Sequence, residues 1–269
     1  MSSASKTLDL LTYFTVDRPE IGLTRLCRLA GRDKATTYRH LQSLEGAGFV
    51  EQNPLTKNYR LGPRLLQLAQ IREVTVPRSA GVEAPLNVLA DATGETSHVS
   101  VLSGQTLYTL EAVESPRHSI RVIMDVDTFP LHATSSGHCA LAFGPPALMD
   151  VAAGSLTAFT ETTVTDPQDL RTRVEVTRSS GFARSTGSFE DDVYSLGVPL
   201  FDQTGLFAGA VSTASVASRF TPELEQIIKS HLIIAARAIT RNWGGTVPAS
   251  VEAAWAATLA QPQELEPST

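Results

Sequence analysis

The sequence predicts two units of different class: a mainly helical amino-terminal head closed by a small hairpin, and an α+β body built on an antiparallel sheet. Three observations carry that reading. The first 62 residues alternate helical periodicity with Gly and Pro punctuation, then show two short strand-like runs around a turn. Beyond residue 80, hairpin signals alternate with flanking helices and lack the strand–helix–strand rhythm of a parallel sheet. The charge divides at the same place. Residues 1–70 hold 10 Lys/Arg against 6 Asp/Glu, whereas the remainder holds 12 against 22. A basic head on an acidic body implies that only the head approaches a polyanion.

Each element has a local reason. Residues 5–15 place Leu8, Leu11 and Phe14 at helical spacing, with Ser5 as N-cap. Pro19 and Gly22 interrupt, and Thr24 caps a short helix that ends at Gly31. Asp33 caps the next helix, which Gly46 and Gly48 close. FVEQ and NYRL flank the turn-rich Asn53-Pro54-Leu55-Thr56-Lys57 loop. Pro63 suits the first position of a following helix that carries Leu65, Leu66, Leu68 and Ile71. The body opens with a helix over 80–93 closed by Gly94. ETSHVSVL and TLYTLEAV form a hairpin around Ser103-Gly104-Gln105; further strands are expected at SIRVIMDV, FARSTG, VYSLGVPLF and LFAGAVSTAS. Helices are expected over 135–143, over 166–180 and from Pro222 to Trp243.

The organisation that follows is a mainly helical, basic unit over 1–62, a linker helix over 63–79, an α+β unit over 80–245, and an acidic, loose tail over 246–269. The 42% apolar content supports packed cores. No stretch approaches the ~20 apolar residues of a membrane span, so no membrane partner is expected. The opening MSSASKTLDLL lacks the apolar core and cleavage site of a secretory signal. Cys27 and Cys139 lie too far apart for a disulfide framework, and their usage points to a reducing cytoplasm.

The third helix carries the functional signal. Wound at 100° per residue, Thr37, Leu41, Leu44 and Gly48 fall on one stripe with His40 at its border. The opposite side bears Thr36, Arg39, Gln42 and Ser43, with Tyr38 on the flank and Lys34 in the first turn. These groups have the length and hydrogen-bonding capacity to reach phosphates and base edges in a major groove. Arg25 on the second helix, and Lys57 and Arg60 on the hairpin, supply backbone-contacting cations in the manner of a winged helix-turn-helix.

KTLDLLTYF, LTRLCRLAGRDKATTYRHLQSLEGAGFVE and NYRLGPRLLQLA together resemble the first domain of the IclR family of bacterial regulators. LADATGETSHVSVL, PLHATSSGHCALAF, GFARSTGSFEDDVYSLGVPLFDQTGLFAGAVSTAS and SRFT continue the likeness in family order over about 5–245. The resemblance implies a winged helix-turn-helix and a GAF-like effector domain, in a homodimer or dimer of dimers. It also implies a palindromic double-stranded DNA operator and an effector that is an aromatic or other organic acid. Thr37, His40 and the Gly31-Arg32-Asp33 turn depart from the usual family pattern, which bears on operator sequence.

By the same resemblance the effector site maps to Ser135, Ser136, Ser185, Ser195, Ser212 and Ala214. The family often has an acid at the Ser185 position and a cysteine at the Ser195 position. Loss of the acid removes a negative charge, and Ser135 and Ser136 open a helix whose free N–H groups suit a carboxylate. A small anionic effector is therefore expected, with no metal or other cofactor. His132, His138 and Cys139 match no metal-binding pattern; His138 and Cys139 point about 100° apart on a helix. Glu190, Asp191 and Asp192 read as a solvated turn. An enzyme on a GAF-like body is the alternative, although no nucleophile elbow or phosphate loop is present.

Overall fold

The computed structural model describes residues 2–15, 17–75 and 78–260 and divides the chain into two compact units, Met1–Pro77 and Arg78–Thr269.

In the first unit, helix α1 spans Ser3–Asp9 and tightens into a 3-10 turn over Leu10–Tyr13. Its cap is Ser2, which accepts from the Ser5 N–H at 3.1 Å, so Ser5 lies inside the helix. The tighter winding re-aims the apolar face: Leu10 and Phe14 are buried, while Leu8 is exposed. Helix α2 (Leu23–Ala30) starts at Gly22 without a side-chain cap, so Thr24 is not the cap its sequence position suggests. It ends at Gly31, in the left-handed conformation. Helix α3 (Lys34–Gly46) is capped by Asp33 and buries the stripe of Thr37, His40, Leu41 and Leu44. Strands β1 (Val50–Gln52) and β2 (Tyr59–Leu61) pair antiparallel, and Ile21 bridges to Tyr59. Leu10, Leu26, Leu41, Val50 and Tyr59 close one core. His40 Nδ1 lies 2.6 Å from Thr7 Oγ1 and ties α3 to α1. Burial, with nearby cationic charge, holds this imidazole below its usual pKa, which fits an inward role. Helix α4 (Arg64–Thr75) leaves Leu66, Ile71 and Val74 exposed.

The second unit begins with α5 (Glu83–Thr93), then β3 (Thr96–Ser103) and β4 (Thr106–Val113), joined by the expected turn. Next come β5 (Thr128–Phe129), α6 (Ser135–Phe143), α7 (Ala147–Ala153) and α8 (Pro167–Ser180). Strands β6 (Ala183–Thr186), β7 (Val193–Phe201) and β8 (Phe207–Val216) precede α9 (Pro222–Asn242) and α10 (Ala249–Ala260). The sheet order is β5-β4-β3-β8-β7-β6, antiparallel at every pairing.

Strand alternation makes the two faces chemically different. Val99, Leu196, Val198, Leu200 and Val211 pack against Leu86 and Leu89 of α5 and Ile228, Leu232 and Ile239 of α9. The opposite face presents small and polar side chains beneath α6: His98, Ser195, Gly197, Ser212 and Ala214. A Cβ on Gly197 would come within 2.5 Å of Ser212 Oγ and 3.3 Å of Ser135 Oγ, so the glycine permits the close seating of α6.

Two further sequence expectations change. SIRVIMDV forms no strand: residues 119–126 fall outside the sheet. β4 is instead paired by the two-residue β5, and side chains take the segment's carbonyls. Thr96 Oγ1 donates to Val122 O at 2.7 Å, Thr109 Oγ1 donates to Val126 O, and Arg219 donates to Ile120 O. The alternating apolar pattern there serves to cover a cavity. Nor is the tail after Gly245 loose throughout. Helix α10 buries Val251 and Trp255 in the α5–α9 core, and Trp255 Nε1 donates to Gly181 O at 2.8 Å. Gly181 has φ +76, and a Cβ there would meet the indole at 2.5 Å, so backbone and tail are fitted to each other. Residues 261–269 lie outside the described residues. No helix among the described residues is long and apolar enough to cross a membrane.

Candidate nucleic-acid interface and effector cavity

On α3 the buried stripe leaves Lys34, Tyr38, Arg39, Gln42 and Ser43 exposed, with Thr36 half-buried. Gln42 Nε2 donates to Tyr38 Oη at 3.1 Å, and Ser43 Oγ donates to the Arg39 carbonyl at 3.1 Å. The exposed Arg25, Lys34, Arg39 and Lys57 form no ion pair among the described residues. Lys57 stands on the hairpin loop at φ +60, and its carbonyl accepts from Gln52 Nε2 at 2.9 Å.

Two features modify the sequence reading. Arg60 Nε is 2.6 Å from Glu51 Oε1, and its guanidinium is 3.9 Å from Glu20, so much of its charge is met within the head. Asp33 Oδ1 accepts the Thr36 N–H at 2.9 Å, and this bond holds the carboxyl below its ordinary pKa. A carboxylate therefore already occupies the α3 N-terminus, a place where a helix otherwise favours a phosphate. The cations best placed for a polyanion are the unpaired ones.

In the second unit, a half-open cavity lies between the small-residue sheet face, the start of α6 and segment 119–126. Its volume is about 50 Å³, on a scale where one water needs roughly 10–15 Å³. The structure brings Ser135, Ser185, Ser195 and Ala214 to its lining. Ser136 and Ser212 are not part of that lining. They lie beneath it, Oγ to Oγ at 2.9 Å, and Ser136 Oγ is 3.1 Å from His98 Nε2. The helical turn of 100° between Ser135 and Ser136 accounts for their different surroundings. Ser185 Oγ donates to Ala133 O at 2.8 Å, so its hydroxyl proton is already used.

Val122, Ile123, Met124 and Phe129 form the apolar wall, and none of these was marked by serine spacing. His98 also lines the cavity and stacks on Phe129 with ring centroids 4.8 Å apart. A signal for it existed: a polar ring at an inward position of an alternating strand is the informative exception to apolar burial. Burial lowers its pKa to about 4, so the ring is neutral near pH 7.

Among the described residues no Lys or Arg lines the cavity, and Glu190, exposed in the turn the sequence suggests, is the one formal charge in its lining. An anion would meet neutral donors: the hydroxyls of Ser135 and Ser195 and the first N–H groups of α6. Thr134 Oγ1 already accepts from Gly137 N at 3.0 Å, and a helix start leaves its first N–H groups without intrahelical partners.

His132, His138 and Cys139 have structural surroundings. His138 Nδ1 and Nε2 lie 3.1 and 2.9 Å from the carbonyl oxygens of Arg184 and His132. His132 Nε2 lies 2.9 Å from Thr157 O, and burial raises the pKa of the Cys139 thiol.

Residues 3–54 match the family described as IclR helix-turn-helix domain. Residues 71–241 match the family described as bacterial transcriptional regulator IclR C-terminal. A solved structure of an IclR-type transcriptional regulator from Silicibacter sp. TM1040 is 40% identical, with a TM-score of 0.87 over 93% of this chain and 99% of that one. The glycerol operon regulatory protein of Streptomyces coelicolor is 27% identical over 248 residues, 91% of this chain and 97% of its own length. An IclR homologue from Microbacterium hydrocarbonoxydans, solved in complex with 4-hydroxybenzoate, is 22% identical. It shares the fold at a TM-score of 0.55 over 90% of this chain and 99% of that one.

Proposed function

Because the chain belongs to the IclR family of bacterial transcriptional regulators, we propose that α3 and the hairpin read an operator whose occupancy a small organic acid controls. The observation that carries the DNA half is the division of α3. Its apolar stripe is consumed by the head's own core, while Arg39, Gln42 and Ser43 project outward beside unpaired cations. In this reading Arg39 and Gln42 contact base edges. Arg25, Lys34, Thr36, Tyr38, Ser43 and Lys57 contact the backbone, and Arg60 contributes after partial neutralisation by Glu51.

The apolar residues exposed on α4 suit pairing of two copies. A two-fold dimer presents two heads, so the operator is a palindrome of two half-sites. Such a regulator works in the cytoplasm, where its DNA is.

The second unit holds the effector. Ser135, Ser185, Ser195 and Ala214 line its cavity, while Ser136 and Ser212 support that lining from beneath. The absence of a lining cation among the described residues and the presence of Glu190 favour a monoanion over a dianion. The ligand shifts operator affinity to the extent that it prefers one arrangement of the protein over another. An enzymatic reading would need a nucleophile and base converging on the cavity. The serine–histidine contact there pairs His98 with Ser136, which lies outside the lining, and the far ring nitrogen of His98 meets no orienting carboxylate among the described residues.

Two measurements test this reading. In a gel-shift series against salt, Lys57→Ala weakens operator and unrelated duplex alike and flattens the log–log salt dependence by about one phosphate contact. A mutant that lost affinity for the operator alone would contradict the backbone role. In calorimetric titration, aromatic and aliphatic monoacids bind more tightly than their neutral amides and than the corresponding diacids. Equal binding of acids and amides would remove the anion assignment. Wild-type protein that ignored its upstream promoter at low ionic strength would remove the operator reading.

A further inference from the structure

The wall of the cavity formed by residues 119–126 is fastened by side chains alone. Among the described residues no backbone–backbone hydrogen bond involves this segment. Its carbonyls are taken at three places: Ile120 O by Arg219 at 2.8 Å, Val122 O by Thr96 Oγ1 at 2.7 Å, and Val126 O by Thr109 Oγ1. Arg219 is itself fixed by a two-point contact with Glu95, Nε to Oε1 and Nη2 to Oε2, both at 2.8 Å. The Glu95 side chain is 2% exposed, so this paired guanidinium is a post set in the unit rather than a mobile surface group. Val122 is 8% exposed, whereas Ile120 and Ile123 are 74% and 63% exposed. The segment is thus a single layer over the cavity, with little packed on its outer side.

The space beneath is too small for the ligand it is read as binding. Its volume is about 50 Å³, whereas a protein cavity that takes up benzene measures roughly 150 Å³. One wall therefore gives way when an acid with an aromatic or branched skeleton enters. The sheet face and α6 are each built into a core: Ser135 to Ala142 are all buried, and β3, β7 and β8 are paired along both edges. Phe189, on the remaining side, is braced by Phe159 at a centroid distance of 5.0 Å. That leaves 119–126, held by three bonds, as the wall that opens at least cost. We propose that residues 119–126 are the lid of this cavity and that Arg219, fixed by Glu95, is the residue that positions the lid shut. The identity of the occupant as an effector rests on the function proposed above, whereas the opening follows from the cavity and its fastenings.

A thiol in the lining reports the opening without any ligand. On a Cys27→Ser background, Ser135→Cys exchanges one oxygen for sulfur at a lining position that is 1% exposed. The full chain is treated with small methyl methanethiosulfonate and with bulky, neutral 4,4′-dithiodipyridine, and the ratio of the two rates separates access from thiol reactivity. Glu95→Gln with Arg219→Gln releases the lid and removes both charges together, so no buried charge is left unpaired. The bulky reagent then gains about tenfold or more on the small one, the change expected when a hydrogen bond from a charged group no longer opposes opening. Thr96→Val frees the Val122 carbonyl and moves the ratio the same way, while Thr96→Ser restores it. This pair decides the matter if the double substitution fails to fold. Cys139, 0% exposed, stays unlabelled throughout, which separates lid opening from unfolding.

If the ratio is unchanged by the released variants, or if Cys139 reacts in step with the introduced thiol, the lid falls while the effector reading stands. If the ratio responds but calorimetry finds no binding of benzoate, its hydroxy derivatives, propanoate or lactate, the effector reading falls while the lid remains.

Discussion

Arg39→Ala lowers affinity for the operator by about 5–150-fold, the loss of about 1–3 kcal/mol that accompanies removal of a bidentate contact to a base. The residue is exposed on the outward side of α3 and forms no ion pair among the described residues, so its removal leaves the fold intact. The loss is sequence-selective. Affinity for an unrelated duplex falls far less, and discrimination relaxes at one position of each half-site. A gel-shift comparison of operator, single-base operator variants and random duplex measures this. The contrast with Lys57→Ala is diagnostic, because a loop-tip lysine contributes charge without reading sequence. Uniform weakening by Arg39→Ala would assign it to the phosphate backbone instead.

Trp255→Ala destabilises the second unit by about 3–5 kcal/mol, the range for removing a buried aromatic side chain from a core. For a unit of this size the melting temperature falls by roughly 6–20 °C. The indole is 0% exposed, packs with Phe182, and donates to the Gly181 carbonyl. Its loss leaves both a void and a carbonyl without its donor. Differential scanning calorimetry of the full chain gives the result directly. A drop of less than about 1 °C would mean that α10 adds nothing to the core, and that the segment after Gly245 behaves as the loose tail its composition suggests.

In that tail, sequence patterns lose force. α10 carries Glu252 and no Lys or Arg, and its many alanines give it little contrast between faces. What makes it part of the core is one tryptophan that meets Gly181, some 74 residues earlier. No local window contains both. The same holds for 119–126, where alternating Ile, Val and Met side chains suggest a strand. Pairing of β4 with β5 and capture of the carbonyls of Val122 and Val126 by Thr96 and Thr109 decide otherwise. In the head, by contrast, Asp33 and the spacing of Thr37, Leu41 and Leu44 act within one helix, and the buried stripe lies where the periodicity puts it. Ser136 and Ser212 divide from Ser135 and Ala214 for a related reason: serine spacing selects the right wall but not its depth.

What the chain determines by itself is whatever depends on neighbours within a few turns: the helix starts and stops, the hairpins, the polar flank of α3, and the small-residue face beneath α6. Capping bonds and side-chain periodicity act over such distances. The tertiary structure alone decided which polar groups lack a partner, because satisfaction is a property of converging segments. Arg60 is matched by Glu51, Ser185 by Ala133, and His98 Nδ1 by nothing among the described residues.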